Sequence, residues 1–191
     1  HQHIKDGLET FSALPLPLTK ELRNNHGNDL PKVAASMIFE QFIAYENKMV
    51  TRTGIFAEPD ITDIIIPEMI AGDARSLTDP NAVLISESLA KSLFGTGDAM
   101  NKSVKLNNTF THKVSGVFKK MPGNSRFAYM DFIAPLTLMV KDGYVSNDWR
   151  SSSYEIFALV NEKSNLNTVA AKIKDIQYIN TKDATKPILF L

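Results

Sequence analysis

Residues 93–106 include the residue types that hold phosphate groups in nucleotide-binding loops: glycines, followed by Lys102 and Ser103. In the G-x-x-x-x-G-K-[ST] pattern, the two glycines let backbone N–H groups approach the phosphate. When the chain is aligned on Lys102-Ser103, Thr96 and Asn101 stand where the pattern needs glycine. The stretch also leads from a predicted helix into a predicted strand, whereas the pattern runs from strand to helix. We therefore do not expect it to bind a nucleotide.

The alternative interpretation of this stretch is a corner between a helix and a strand. Gly95 is placed to end the helix in a left-handed conformation, and Gly97-Asp98 are typical turn residues. The carboxylate of Asp98 would in addition repel a phosphate. The corner is the interpretation that the residues favour.

A second candidate for chemistry is the pair Ser88 and Lys91, which has the S-x-x-K spacing of some serine hydrolases. In such enzymes the serine is the nucleophile, and its lysine is one of the groups considered as the base that takes the serine proton. The chain has no recognisable partner motif elsewhere, so a helix with a solvated face is the simpler interpretation. Hydrolysis at Ser88/Lys91, or at an acidic pair, stays open as an alternative.

Side chains that could bind metals are scattered along the sequence. The histidines are His1, His3, His26 and His112, and an acidic stretch contains Asp60, Asp63, Glu68 and Asp73. Neither set has the spacing of an H-E-x-x-H site or of a calcium loop. We predict no metal site and no cofactor.

The composition narrows the class of protein. Of 191 residues, 43% are hydrophobic and 22% charged, which is typical of a globular fold. Lys+Arg and Asp+Glu both number 21, so there is no overall basic excess of the kind that nucleic-acid binders carry. A local basic patch at Lys119, Lys120 and Arg126 remains open. The absence of cysteine excludes disulfides and thiolate chemistry.

The sequence predicts neither a membrane helix nor a signal peptide. Its most apolar run, 64–71, is short and is interrupted by Pro67 and Glu68. The sequence begins with His1 and has no initiating methionine. We therefore expect an excised segment of a longer protein.

Periodicity and turn residues predict alternating strands and helices. Four helices are predicted. The first begins at residue 17 or 19 and ends at Gly27, and the second follows a cap at Asp60. The third spans 87–95 and the fourth spans 166–176. The predicted strands span 32–44, 49–57, 82–86, 104–106, 112–118, 132–136, 154–160 and 187–191. The first two strands form a hairpin that turns at 45–47, and hairpins dominate the middle of the chain.

This mixture predicts an α+β fold rather than a doubly wound parallel sheet. The expected arrangement has two subdomains, one of residues 1–70 and 137–191 from both chain ends, and a smaller β-rich one of residues 71–136 inserted in the middle. The single tryptophan, Trp149, precedes a predicted strand and is expected to pack in or beside the core, with contact to a partner as the alternative.

Several stretches together resemble the MacB-like periplasmic core domain of FtsX-type ABC transporter permeases. They are "DPNAVLISESLAKSLFGTGDAMNKSVKL", "HKVSGVFKKMPGNSRF" and "MDFIAPL", with "EPDITDIIIPEMIAGD" upstream. The matching positions are Glu87, Ala90, Lys91, Phe94, Gly95, Gly97, Asp98, Lys102, Gly116, Val117, Pro122, Ser125, Asp131 and Phe132. Two positions depart from the family pattern. Asn101 replaces a glycine, although asparagine tolerates left-handed geometry, and Arg126 replaces a histidine.

The resemblance implies a porter-like layer with an inserted subdomain, located between two membrane helices of a permease on the periplasmic face of the inner membrane. It implies a domain that is not an enzyme and that relays movement driven by ATP hydrolysis on another subunit or domain. Implied partners are the membrane helices of the same permease and periplasmic adaptors, lipoproteins or hydrolase regulators, but not nucleic acid. The alternatives from other classes are a free-standing periplasmic hydrolase and a small-ligand-binding module.

Overall fold

A computed structural model describes residues 2–4, 9–183 and 187–189, and divides the chain into two compact units. The first unit comprises His1–Ser36 and Met139–Leu191, and the second comprises Met37–Leu138. The predicted insertion, 71–136, lies within the second unit, which begins well before it. Its assignment as a separate subdomain stays a prediction.

The secondary-structure elements are numbered in chain order. The helices are α1 Pro17–His26, α2 Ile61–Ile65, α3 Glu87–Phe94, α4 Thr137–Lys141, α5 Leu166–Ile173 and α6 Ile176–Thr181, with a 3₁₀ helix at Ala74–Thr78. The strands are β1 Gln2–Ile4, β2 Glu9–Phe11, β3 Leu14–Pro15, β4 Lys32–Tyr45, β5 Lys48–Ala57, β6 Met69–Gly72, β7 Ala82–Ser86, β8 Ser103–Leu106, β9 Phe110–Phe118, β10 Phe132–Pro135, β11 Ser152–Leu159 and β12 Ile188–Leu189. Within the described ranges, no helix is long and apolar enough to span a membrane.

The first unit is built around helices α1, α5 and α6. Strand β11 pairs antiparallel with β3 and with the first half of β4, and β1 pairs with both β2 and β12. The buried core consists of Leu14, Leu18, Leu22, Leu30, Val33, Val169, Ile173, Ile176 and Leu189. Trp149 packs against this core while remaining half-buried, which confirms the expected packing position.

One helix prediction in this unit was wrong. The apolar spacing of 166–176 predicts a single helix, but α5 ends at Ile173 and α6 begins at Ile176. The Lys174 carbonyl accepts a hydrogen bond from the backbone N–H of Leu189. A contact from a distant segment thus accompanies the break between the two helices, and no local pattern signals it. Residues 190 and 191 of the predicted closing strand lie outside the described residues.

The second unit is a mixed sheet in the order β4-β5-β10-β7-β9-β6, with β8 pairing with both β4 and β9. The predicted hairpin of β8 and β9 is present, but β7 pairs in parallel with β9, and β10 pairs in parallel with β5. Hairpins therefore do not dominate the middle of the chain. All five residues of β7 are buried, as expected of a central strand.

Aromatic packing fills the core of the second unit. Phe56 is 1% exposed and meets the ring of Phe132 at 5.8 Å and that of Phe39 at 5.7 Å, both edge to face. Edge-to-face geometry aligns the positive ring edge with the negative face. The α+β class is confirmed by this sheet and the separate helices that flank its strands.

Candidate functional site

Residues 93–106 form a corner between a helix and a strand. Helix α3 ends at Phe94, and β8 begins at Ser103. Gly95 has φ 65° and ψ −119°, so its φ is positive as predicted, but its ψ lies in a region that residues with a Cβ avoid. Asn101 has φ 63°, which is the left-handed geometry that asparagine tolerates.

The backbone N–H groups of this corner bond to the chain itself. The N–H of Gly97 donates to the Phe94 carbonyl at 3.0 Å, and that of Asn101 donates to the Val114 carbonyl at 2.9 Å. The N–H of Lys102 donates to the Ala99 carbonyl. A phosphate-binding loop needs such groups free to point at its ligand. The corner therefore has the hydrogen bonding of a turn.

The serine of the S-x-x-K pair is turned towards a carboxylate rather than towards its lysine. The Ser88 hydroxyl donates to Asp131 Oδ1 at 2.9 Å, and Ser86 Oγ donates to the same oxygen at 2.7 Å. The Lys91 side chain is exposed and makes no hydrogen bond or ion pair within the described part of the chain. The structure therefore does not assemble the Ser88/Lys91 pair that the alternative hypothesis requires.

Four side chains that sequence spacing did not link to Asp131 meet around its carboxylate, and we call these five residues the Asp131 cluster. Its members are Arg52 on β5, Ser86 at the end of β7, Ser88 on α3, Lys120 after β9, and Asp131 before β10. Lys120 Nζ lies 2.8 Å from Asp131 Oδ1, and Arg52 Nε lies 3.6 Å from Oδ2. The cluster ties β5, β7, α3 and the segment that follows β9 to one carboxylate.

The electrostatics of the cluster keep Asp131 ionised. Burial alone would raise the pKa of Asp131, but the hydrogen bonds from Lys120, Ser86 and Ser88 together outweigh burial, so its pKa lies below the ordinary value. A carboxylate with a lowered pKa is a weak base. It can orient the two serine hydroxyls, but it is poorly suited to removing a proton from either at neutral pH.

The N-terminus of α3 depends on Ser86 of this cluster. Ser86 is the N-cap residue, and its Oγ accepts a hydrogen bond from the backbone N–H of Leu89 at 3.1 Å. Its own backbone N–H donates to the Asp131 carbonyl at 2.8 Å. Ser86 thus joins the helix cap, strand β7 and Asp131 in one hydrogen-bonded unit.

A groove of about 500 Å³, lined by both polar and apolar groups, lies beside the corner, and we call it the hairpin groove. It is lined by Tyr45, Glu46, Asn47, Lys48, Leu93, Phe94, Gly97, Asp98 and Lys102. The rings of Tyr45 and Phe94 stand 4.6 Å apart. Asp98 Oδ1 accepts the backbone N–H of Met100 at 2.9 Å, so this carboxylate also fixes the turn.

The positions that carry the family resemblance do not converge on one place. Phe94, Gly97, Asp98 and Lys102 line the hairpin groove, and Asp131 anchors its cluster. The others lie in α3 or at its C-cap, Gly95, in β9, in β10 and in the turn at 122–125, where Ser125 donates its backbone N–H to the Pro122 carbonyl. This distribution is that of a folding pattern, and the structural role that the resemblance implies for these residues stays a prediction.

The question of a basic patch, left open at Lys119, Lys120 and Arg126, is answered by pairing for its two lysines. Lys119 pairs with Glu68, and Lys120 pairs with Asp131. Each ammonium group of the dipeptide thus faces a carboxylate. Sequence reasoning singled out these lysines for their adjacency and missed the partners, which are remote along the chain.

The histidine side chains that the structure describes do not gather at one site. His112 is 1% exposed on β9, and within the described ranges no three His, Asp or Glu side chains are close enough together to hold a metal ion. His1 lies outside the described residues. Burial lowers the pKa of His112, so the folded protein holds this imidazole in the neutral form.

His112 is therefore expected to make stability depend on pH. Below about pH 6.5, the unfolded chain takes up a proton at this position and the folded chain does not, so stability falls as pH falls. The slope is at most about 1.4 kcal/mol per pH unit. Urea unfolding at several pH values between about 7 and about 5 should show this slope in the parent chain and in His26→Gln. His112→Leu should remove it, and a retained slope would contradict the assignment.

Comparison with known proteins identifies the family. The model of the MacB-like periplasmic core domain matches residues 2–176. The chain belongs to this family. Among curated proteins, none matches the sequence.

Three solved structures share the fold of this MacB-like domain. A domain of a Porphyromonas gingivalis protein assigned as a permease has a TM-score of 0.77 at 21% identity, over 93% of this chain and 82% of that one. The extracellular domain of the noncanonic ABC-type transporter YknZ from Gram-positive bacteria has a TM-score of 0.72 at 16% identity, over 95% and 91%. The periplasmic region of MacB from Actinobacillus actinomycetemcomitans has a TM-score of 0.73 at 12% identity, over 98% and 85%. The predicted porter-like α+β fold is thereby confirmed.

Proposed function

We propose that this MacB-like domain is a non-catalytic extracytoplasmic part of an ABC transporter permease, and that it relays ATP-driven movement to periplasmic partners. The observation that carries the proposal is the family match over residues 2–176. The domain would lie at the periplasmic face of the inner membrane, joined to membrane helices of the same permease. ATP would be hydrolysed on a separate subunit or domain.

The geometry of the second unit supports a mechanical role. A relay needs elements that move as bodies between two arrangements rather than deform continuously. The Asp131 cluster links β5, β7, α3 and the start of β10 through one ionised carboxylate. Phe56 and Phe132 are buried and pack edge to face in the core of the same unit. We expect these contacts to let this unit move as one body, which is what a relay requires.

The same geometry disfavours the hydrolase alternative. Ser88 donates to Asp131, whose pKa is lowered, and Lys91 points into solvent without a partner in the described residues. An esterase and amidase screen is expected to find no turnover. Activity that disappears in Ser88→Ala would reverse this conclusion.

The relay is tested by distance measurements in the intact permease, with and without a non-hydrolysable ATP analogue. This segment contributes no native cysteine that would compete for the spin labels. One label pair is attached at Thr51→Cys and Thr111→Cys, both in the second unit, and another at Thr111→Cys and Lys163→Cys, of which Lys163 belongs to the first unit. The distance between the labels at 51 and 111 should stay the same in both states. The distance between the labels at 111 and 163 should change with nucleotide, and two unchanged distances would contradict the relay.

A further inference from the structure

Charge is distributed unevenly along the second unit. Residues 99–130 contain six basic residues and no Asp or Glu, although the whole chain is neutral. The six are Lys102, Lys105, Lys113, Lys119, Lys120 and Arg126. Lys119 and Lys120 pair with carboxylates, as described above. Lys105 and Lys113 are exposed, and neither makes an ion pair or a side-chain hydrogen bond within the described part of the chain.

These two lysines share one face of the β8–β9 hairpin. Lys105 is opposite Thr111, and Lys113 is opposite Ser103, in an antiparallel register. All four residues are exposed, while the alternate residues Val104 and His112 are buried. Lys105 and Lys113 are therefore diagonal neighbours, roughly 7–8 Å apart at the backbone. Two hydroxyls, those of Ser103 and Thr111, complete this face.

An exposed aromatic ring borders the lysines. Ala44 of β4 pairs with Lys105, and side chains two residues apart lie on the same side of a strand. Phe42 consequently lies on the same face as Lys105, and it is 55% exposed. Asn107 holds β4 beside the β8–β9 hairpin, because its backbone N–H donates to the Phe42 carbonyl and its Oδ1 accepts a hydrogen bond from the Phe42 N–H at 2.9 Å. We call the surface of Phe42, Ser103, Lys105, Thr111 and Lys113 the lysine face.

The spacing of the lysines suits a protein partner. Carboxylates on alternate residues of an extended segment are roughly 7 Å apart, close to the separation of the two lysines. Such a segment could place one carboxylate on each ammonium group, donate to or accept from the hydroxyls, and cover Phe42 with an apolar side chain. A lipid surface would use the lysines only as charges and would not need this spacing.

We propose that the lysine face is a docking surface for an acidic, extended segment of a partner protein. The inference rests on the proposed function for the existence of a periplasmic partner, and it names the chemistry by which that partner is recognised. The binding is weak and salt-dependent, because its ion pairs are exposed to solvent.

The test uses the 191-residue chain and a synthetic peptide of about nine residues that alternates Asp with Val, matched to strand spacing. A second peptide carries Asn at each Asp position. Calorimetry at low salt should show binding of the acidic peptide only, and backbone NMR shifts should concentrate at β8, β9 and Phe42. Equal binding of the neutral peptide, or no saturable binding of either, would overturn the proposal.

Charge-matched variants separate this face from the net charge of the protein. Lys105→Ala with Lys113→Ala should weaken binding about fivefold or more, as expected for loss of two exposed ion pairs. Lys20→Ala with Lys163→Ala, which removes the same charge from exposed positions of the first unit, should leave affinity unchanged. Equal losses of peptide affinity in the two double variants would mean that only the net charge of the protein matters, and would contradict the proposal.

Vesicles provide the competing outcome. If phosphatidylcholine vesicles with about a fifth phosphatidylglycerol bind the chain through Lys105 and Lys113 while the peptide does not, the face recognises lipid and the proposal is wrong. Failure of peptide binding while the spin-label distances still respond to nucleotide would overturn only the docking surface. Unchanged distances with retained peptide binding would overturn only the relay.

Discussion

Replacing Gly54 with alanine is expected to lower the free energy of unfolding by about 3 kcal/mol or more. A Cβ atom at this position would lie 2.4 Å from both Phe132 Cδ1 and the Phe132 carbonyl oxygen. The ring could rotate away, but the oxygen belongs to β10, which is held between β5 and β7 by backbone pairing on both sides. The added methyl group therefore has to push strands apart in the core.

The Gly54 prediction is measured by urea or guanidinium unfolding, with Gly123→Ala as the matched control. Gly123 is exposed in a turn, and a Cβ there would meet no atom within 4 Å. The control is expected to change stability by less than about 0.5 kcal/mol. If Gly54→Ala were as stable as the control, the close packing of β5 against β10 would be incorrect.

The sequence alone predicts those elements whose signal is local. Leu18 and Leu22 lie one turn apart and are both buried, so the apolar spacing located α1 correctly. The hairpin of β4 and β5 follows from two apolar runs separated by a short polar turn, in which Glu46 adopts φ 50°. The five buried residues of β7 follow from an uninterrupted apolar run. In each case neighbouring residues contain the whole signal.

The missed features are those that distant residues determine. The break between α5 and α6 accompanies a bond from Leu189 to Lys174, and no property of 166–176 announces it. The parallel pairing of β7 with β9 places β7 beside a strand that is not its neighbour in sequence order. Residue patterns fix the period of a strand but not its partner, because pairing depends on the packing of the whole sheet.

The candidate site also combines residues that a local pattern singled out with partners that only the fold brings together. The family resemblance singled out Asp131, but Arg52, Ser86 and Lys120, which surround it, are 79, 45 and 11 residues away along the chain. Ser88 attracted attention for its spacing to Lys91, and its actual partner lies on another segment. A one-dimensional motif can identify a residue type suited to chemistry, whereas the fold decides which group that residue meets.

Removal of the Asp131 carboxylate is expected to be the second large effect. In Asp131→Ala, the hydroxyls of Ser86 and Ser88 and the ammonium group of Lys120 lose their shared acceptor. The Ser86 hydroxyl is then left without its carboxylate acceptor in a buried place, whereas Ser88 and Lys120 are exposed to water. Hydrogen bonds to a charged group contribute about 1.5–3 kcal/mol, and unpaired donors add a desolvation cost. We expect a loss of about 3 kcal/mol in the free energy of unfolding, reduced somewhat because Lys120 is partly exposed.

The control for Asp131 is another lysine–carboxylate pair of the same unit. Lys119 and Glu68 also form an ion pair, but both side chains are exposed, at 54% and 69%. Exposed pairs contribute about 0–1 kcal/mol, so Glu68→Ala should cost little. Equal losses in the two variants, measured by denaturant unfolding, would show that Asp131 is an ordinary surface carboxylate.

The pH dependence tests the origin of the Asp131 effect. Since the pKa of Asp131 is lower in the folded chain than in the unfolded one, the unfolded chain binds the proton first as pH falls. The stabilisation is complete when the pH is above the pKa of the unfolded chain, about 3.9, and it is lost as the pH falls through the lower pKa of the folded chain. In Asp131→Asn, this acid-sensitive part of the stability should be missing, while the slope due to His112 at higher pH remains. If the acid-sensitive part persisted in Asp131→Asn, some other carboxylate would be responsible, and the cluster would act by packing rather than by charge.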